Sequence, residues 1–196
     1  MHKIWRAPET PAAELERLCG SPDHQGVVAE VDPYPYGDAG AMLRKPDALI
    51  VALDQVQDPR NLGAVCRSAE SAGAAGVVIP ERRAAMVSPV TCKTSAGAVE
   101  HLEIAHVRNL ADWLAQAKEA GFWIWGADAD GTQAPWGVDL TGPTVLVLGG
   151  EGKGLRPRVA SSCDGLVALP RLGQIESLNV SAAATALLFE SVRQRS

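Results

Sequence analysis

The chain has few cysteines and few histidines, four of each in 196 residues. No two of Cys19, Cys66, Cys92 and Cys163 are spaced Cys-x-x-Cys. No histidine stands beside them at metal-ligand spacing, so neither a zinc site nor any other metal is called for. The cysteines are expected to be reduced, buried thiols. Aromatic residues are only 5% of the chain. No apolar run is long enough to span a bilayer. Pro8, Glu9, Pro11, Glu14 and Glu16 stand where the apolar core of a secretory signal would lie. A cytoplasmic protein with no membrane partner is therefore expected. Internal repeats and low-complexity tracts are missing too.

What is present is an ordinary globular composition, 46% hydrophobic and 21% charged, which excludes a disordered tail, a collagen-like repeat and a coiled coil. The net charge of −5 argues by itself against a nucleic-acid partner. Its distribution softens that argument. Residues 110–147 carry one basic and five acidic side chains, whereas residues 148–196 carry six basic and four acidic ones. The acidity lies in the N-terminal piece and the middle, away from the glycine-rich and C-terminal segments.

Residues 1–47 are punctuated by Pro8, Pro11, Pro22, Pro33, Pro35 and Pro46. A short helix over Ala12–Cys19, a short strand over Gly26–Val31 and a turn-rich linker, PYPYGDAG, are predicted there. From Ala48 onward the pattern is regular. Apolar runs of strand length stand at Leu49–Leu53, Gly76–Ile79, Phe122–Gly126, Thr144–Leu148 and Leu166–Leu169. Helical stretches lie between them, at Asn61–Ala72, Pro89–Gly97, Leu110–Ala120 and Leu155–Ser162, and Leu178–Arg193 closes the chain. Continuous apolar strands alternating with helices predict an α/β fold, a parallel sheet covered on both faces. Ligands of such sheets sit at the carboxyl ends of the strands. The loops after Leu53, Gly126, Leu148 and Leu169 are thus where chemistry is to be sought.

Three segments offer it. In LDQVQDPRNLGAVCRSAESAG, Asp58 and Pro59 open a helix as cap and first-turn proline. Asn61 and Arg67 then bring an amide and a guanidinium near a strand end. Six residues separate them, about 120° around a helix, so spacing alone does not put them on one face. Read singly, Arg67 is a surface arginine. In VLVLGGEGKGLRPRV, four glycines within six residues surround Glu151. A P-loop needs Ser or Thr where Gly154 stands, and a dinucleotide fingerprint needs glycine where Leu155 stands. What remains is a ligand-binding turn from strand to helix, or a tight connection. In ALPRLGQIESLNVSAAATALLFESVRQR, Ser177 is placed to cap the final helix, and Asn179 and Ser181 give polarity to its first turn.

Taken together, these segments resemble the SpoU family of RNA 2′-O-ribose methyltransferases within the SPOUT class. The first motif, N-x-G-A-x-x-R-S-A, stands at Asn61–Ala69; the second is LVLGGEGKGL; the third is centred on Ser177–Ser181. They occur in order over residues 48–196. The nearest branch acts on a guanosine of large-subunit rRNA. The resemblance implies a Rossmann-like parallel sheet with a C-terminal deep trefoil knot, which no periodicity shows. It implies a homodimer, RNA as substrate with rRNA favoured over tRNA, and S-adenosylmethionine as methyl donor. The donor pocket would use Gly126, Ala127, Gly149, Gly150, Glu151, Gly152, Leu169 and Leu178. Arg67 would be either a base or an electrostatic stabiliser of the attacking 2′-hydroxyl, with Asn61, Glu151, Ser177 and Asn179 orienting it. Members of this branch carry an N-terminal recognition domain resembling a large-subunit ribosomal protein. Ala12–Val31 resembles only its closing helix and strand, and residues 1–47 are expected to be a remnant plus linker. The alternatives are a tRNA ribose methyltransferase and a non-catalytic RNA-binding or ribosome-assembly protein on the same fold.

Overall fold

The computed structural model describes residues 7–22, 24–150, 154–174 and 177–196. The chain divides into two compact units between Tyr34 and Pro35.

In the first unit, helix α1 spans Ala12–Cys19, as the sequence predicts. Gly20 ends it in the left-handed conformation, φ 67°, where its N–H reaches the carbonyl of Glu16. The strand predicted at Gly26–Val31 does not form. A strand needs a ladder partner. None pairs with this segment among the described residues, and Val27 and Val31 are exposed.

The second unit begins at Pro35 and takes in residues 35–47 together with the sheet. Within the predicted linker a short helix, α2 (Ala39–Met42), forms behind the Asp38 cap. Met42 is fully buried, and Trp113 Nε1–H donates to the Ala39 carbonyl at 3.2 Å.

The sheet has six strands: β1 Leu49–Asp54, β2 Gly76–Pro80, β3 Ile104–Val107, β4 Trp123–Ala127, β5 Thr144–Gly149 and β6 Gly165–Val167. All pairs are parallel, and the order is β3-β2-β1-β5-β4-β6. β3 is the strand that periodicity does not signal. It has four residues, with His106 among them, and the Tyr36 ring stacks on His106 at 3.6 Å between centroids.

β1 is buried at every position, as a strand covered on both faces must be. Ile50, Ala52, Val78, Val145 and Val147 share one apolar cluster with α2, α5 (Leu110–Glu119) and α6 (Pro157–Ala160). The alternate residues Val51, Leu53, Val77 and Leu146 point the other way and are fully buried. There α3 (Pro59–Ser71) packs on β2 and on α7 (Val180–Arg195), and α7 packs on β5. The remaining helix, α4 (Pro89–Thr94), lies against α3. The chain winds one way from β1 to β3 and the other way from β5 outward. The switch point lies between the carboxyl ends of β1 and β5, where open α/β sheets hold ligands. Among the described residues, no helix is long and apolar enough to cross a membrane.

Candidate active site

The loop after β1 leads into α3 by a local rule. Asp58 accepts a hydrogen bond from the Arg60 N–H at 2.8 Å, and Pro59 fills the first helical position. Asn61, Gly63 and Ser68 of the first motif then make inward contacts. Asn61 is buried, and its side-chain oxygen accepts from Asn179 Nδ2 at 3.0 Å. Gly63 lets α4 approach, because a Cβ there would lie 2.7 Å from the Thr91 carbonyl oxygen. The Ser68 hydroxyl lies 2.7 Å from that of Thr185 on α7. Arg67 is exposed, and no described residue bonds or pairs with it. The structure joins Asn61 to Asn179 and leaves Arg67 facing outward.

The cap of α7 is Asn179, not Ser177. The Asn179 side-chain oxygen accepts from the Ser181 N–H at 2.8 Å and from its hydroxyl at 2.6 Å, so α7 starts two residues later than predicted. An asparagine caps as well as a serine does, and Asn179 itself is non-helical, φ −56° and ψ 141°, so Ser177 stays exposed outside the helix. Leu178 is 53% exposed beside it.

Gly149 and Gly150 sit where two stretches of backbone cross. A side chain on Gly149 would run into Gly154 and Leu155, and one on Gly150 into the carbonyl of Gln55. The Gly150 N–H donates to the Asp54 carbonyl at 2.8 Å, and Gly150 bridges Gly154. Gly126 is buried, with Leu155, Leu166 and Cys163 pressed against the space a Cβ would fill. Ala127 pairs in register with Leu148 and Val167, and the half-buried Leu169 follows β6. Glu151 and Gly152 lie outside the described residues.

Two features at this edge carry no sequence signal strong enough to find them. Asp54 closes β1 with a fully buried carboxylate. Arg156 satisfies it through its backbone N–H at 2.8 Å and its Nε and Nη2 at 2.7 Å. An aspartate ending an otherwise apolar strand was the only hint. Gln55 then takes φ +63°, a left-handed conformation rare for a non-glycine residue. It lines a cavity of about 210 Å³ with Val56, Gln57, Asp58 and Asn61, at the switch point. Such strain concentrates where ligands are held. No cluster of three His, Cys, Asp or Glu placed to hold a metal ion occurs among the described residues.

Comparison with known proteins bears on this geometry. Residues 48–189 match the model of the SpoU rRNA methylase family, and residues 7–37 match that of the RNA 2′-O ribose methyltransferase substrate-binding family. A relative from Mycolicibacterium vanbaalenii, named an uncharacterized tRNA/rRNA methyltransferase, is 44% identical over 192 residues. The match takes in 95% of this chain and 61% of that protein, so the chain spans about three fifths of the length of such relatives. The crystal structure of the SpoU methyltransferase AviRb from Streptomyces viridochromogenes, in complex with AdoMet, superposes with TM-score 0.75 at 33% identity, over 82% of this chain and 63% of that one. The TrmH/SpoU tRNA-modifying enzyme of A. aeolicus gives TM-score 0.69 at 28% identity, over 80% of this chain and 79% of that one.

Proposed function

Because this chain belongs to the SpoU methylase family, we propose that it transfers a methyl group from S-adenosylmethionine to a ribose 2′-hydroxyl of RNA, in a guanosine of large-subunit rRNA. The observation that carries this reading is the Asn61–Asn179 hydrogen bond. It ties the first motif to the third across 118 residues of sequence and fixes both beside the switch-point cavity.

The residues present suit the donor. Adenine and a methionyl chain call for apolar surface and backbone hydrogen-bonding groups, not for a phosphate clamp. Leu178 offers exposed apolar surface, and the glycines after β5 bring bare backbone to the sheet edge. Gly149, Gly150, Ala127, Leu169 and Leu178 would hold it, with Gly126 behind them and with Glu151 and Gly152, which lie outside the described residues, as further contributors. When bound, S-adenosylmethionine supplies an electrophilic methyl group on a sulfonium.

The chain's own task is to prepare the hydroxyl. Asn61, held by Asn179, presents a fixed polar group at the start of α3. Arg67 stands exposed on the same helix, and no described carboxylate pairs with it. A guanidinium stays protonated in proteins. Arg67 therefore acts as a positive charge that stabilises the developing alkoxide, an effect worth roughly 10²–10³-fold at comparable sites. Ser177, exposed before the Asn179 cap, borders the substrate side. Residues 7–37 contribute RNA recognition, the C-terminal segment closes the family's knot, and a second copy of the chain completes the site as a homodimer. The A. aeolicus neighbour supports a second reading, tRNA as substrate, because this fold covers 79% of that enzyme.

The test is calorimetric titration with S-adenosylmethionine and its demethylated product, followed by methyl transfer to large-subunit rRNA and to total tRNA. Saturable binding and labelled 2′-O-methylguanosine in rRNA are expected. Labelling of tRNA alone would move the substrate to the second reading. No cofactor binding by a sample folded by circular dichroism would overturn the proposal and favour a non-catalytic RNA-binding protein.

A further inference from the structure

Apart from the switch-point cavity there is a cleft of about 640 Å³ at the carboxyl ends of β2 and β3, beside α5 and α6. Five of the chain's thirteen arginines line it: Arg82 and Arg83 after β2, Arg108 after β3, and Arg156 and Arg158 at α6. Two of these charges are already spent. Arg156 holds the buried Asp54, and Arg158 Nη2 lies 2.6 Å from Asp112, the one acidic residue in the lining. Arg82, Arg83 and Arg108 are exposed, and no described carboxylate pairs with any of them. Glu81, next in sequence, lies in the field of His106 instead. Arg83 also takes φ +59°, so the loop after β2 holds a non-glycine residue in a left-handed conformation. The floor is Pro80, Ala111 and Val159, which offer no competing acceptor side chain.

Among the described residues, no carboxylate answers the three exposed guanidinium groups that line this one cleft. In a chain of net charge −5, their concentration at one place is not a consequence of composition. We propose that this cleft binds the sugar–phosphate backbone of the RNA substrate, with Arg82, Arg83 and Arg108 each engaging phosphate oxygens. The inference rests on the RNA methyltransferase reading for the identity of its ligand. Guanidinium forks match phosphate oxygens bidentately and carry no base information. The cleft thus positions the strand and does not select its sequence. Arg156 links it physically to the candidate site. The same residue that lines the cleft is bound to Asp54, whose carbonyl receives the Gly150 N–H. A strand held on these arginines passes beside the ends of β1 and β5.

The experiment compares the full chain with its Arg82→Gln, Arg83→Gln, Arg108→Gln triple variant, which changes only exposed side chains. Binding of a fluorescein-labelled large-subunit rRNA fragment is followed by anisotropy over a series of salt concentrations, and S-adenosylmethionine affinity is measured on the same samples. The triple variant should bind the RNA roughly tenfold or more weakly, and its log K against log salt slope should shrink by about 0.7 per lost phosphate contact, about 2 in all. Its cofactor affinity should match that of the unaltered chain. An unchanged RNA affinity and salt slope would overturn the inference. So would an equal loss of cofactor affinity, because the arginines would then belong to the donor pocket. If the unaltered chain binds no cofactor yet binds RNA in a salt-dependent way that the variant loses, the cleft stands and the methyltransferase reading falls.

Discussion

At the scale of single residues, polar groups here divide into those that bind to one another and those that face out. Arg67 belongs to the second kind. Arg67→Ala should lower methyl transfer by at least about 10²-fold while leaving S-adenosylmethionine affinity nearly intact, as single-turnover assays and calorimetry would show. A large loss of cofactor binding would remove Arg67 from the chemistry. His106 belongs to neither kind. It is stacked on Tyr36 with Nε2 buried and unpartnered among the described residues, and burial pushes its pKa below the ordinary 6.5, against the raising influence of Glu81. The folded state thus disfavours the imidazolium. Stability should be unaffected by this group well above pH 6.5 and fall as pH drops from there toward the lowered folded value. Thermal melts across that range should show the loss, and His106→Phe should reduce it. Among the thiols, burial pushes Cys66 and Cys163 up to about 12, whereas Cys19 is exposed. A thiol reagent near neutral pH should modify Cys19 first, and a mass shift on Cys66 in the native protein would contradict its burial.

At the scale of elements, the sharpest test is Gly63 in α3. Helix propensity alone favours alanine there by about 1 kcal/mol. Against it stands a Cβ 2.7 Å from the Thr91 carbonyl oxygen and 2.8 Å from the Thr94 Cβ, where backbone must move. Overpacking of that kind costs about 1–3 kcal/mol and outweighs propensity. Gly63→Ala should therefore lower the melting temperature; a rise would show that α4 shifts freely. The same contrast explains what was legible in the sequence. β1, β2, β4 and β5 announce themselves as apolar runs, and α3 by its Asp-Pro cap, because those signals are local. β3 is short and interrupted by His106. The segment Gly26–Val31 has strand composition but no neighbour to pair with, which composition does not reveal. Ser177 and Asn179 are both good caps, and the one that caps α7 is Asn179, which also holds Asn61. The motif residues could be named from resemblance, but their meeting could not: Asn61 and Asn179 lie 118 positions apart. The arginine cleft draws on three separate loops, so no window of sequence contains it.

At the scale of the whole molecule, the proposed site draws on a second copy of the chain. Light scattering at low micromolar concentration should report a dimer, and a monomer with full methyl transfer would contradict that arrangement. The sheet itself has a further consequence, for how the protein is made. β1 pairs with β2 on one side, but its other edge pairs with β5, Leu49 meeting Thr144. A ribosome adding about 5–20 residues per second needs roughly 5–20 s to travel that interval. Throughout it, the nascent chain carries β1 with one unsatisfied edge and apolar side chains on both faces, the kind of edge that recruits other strands. The strand at the centre of the finished sheet is thus the most vulnerable one during synthesis, and early chaperone contact would be most useful along Leu49–Asp54.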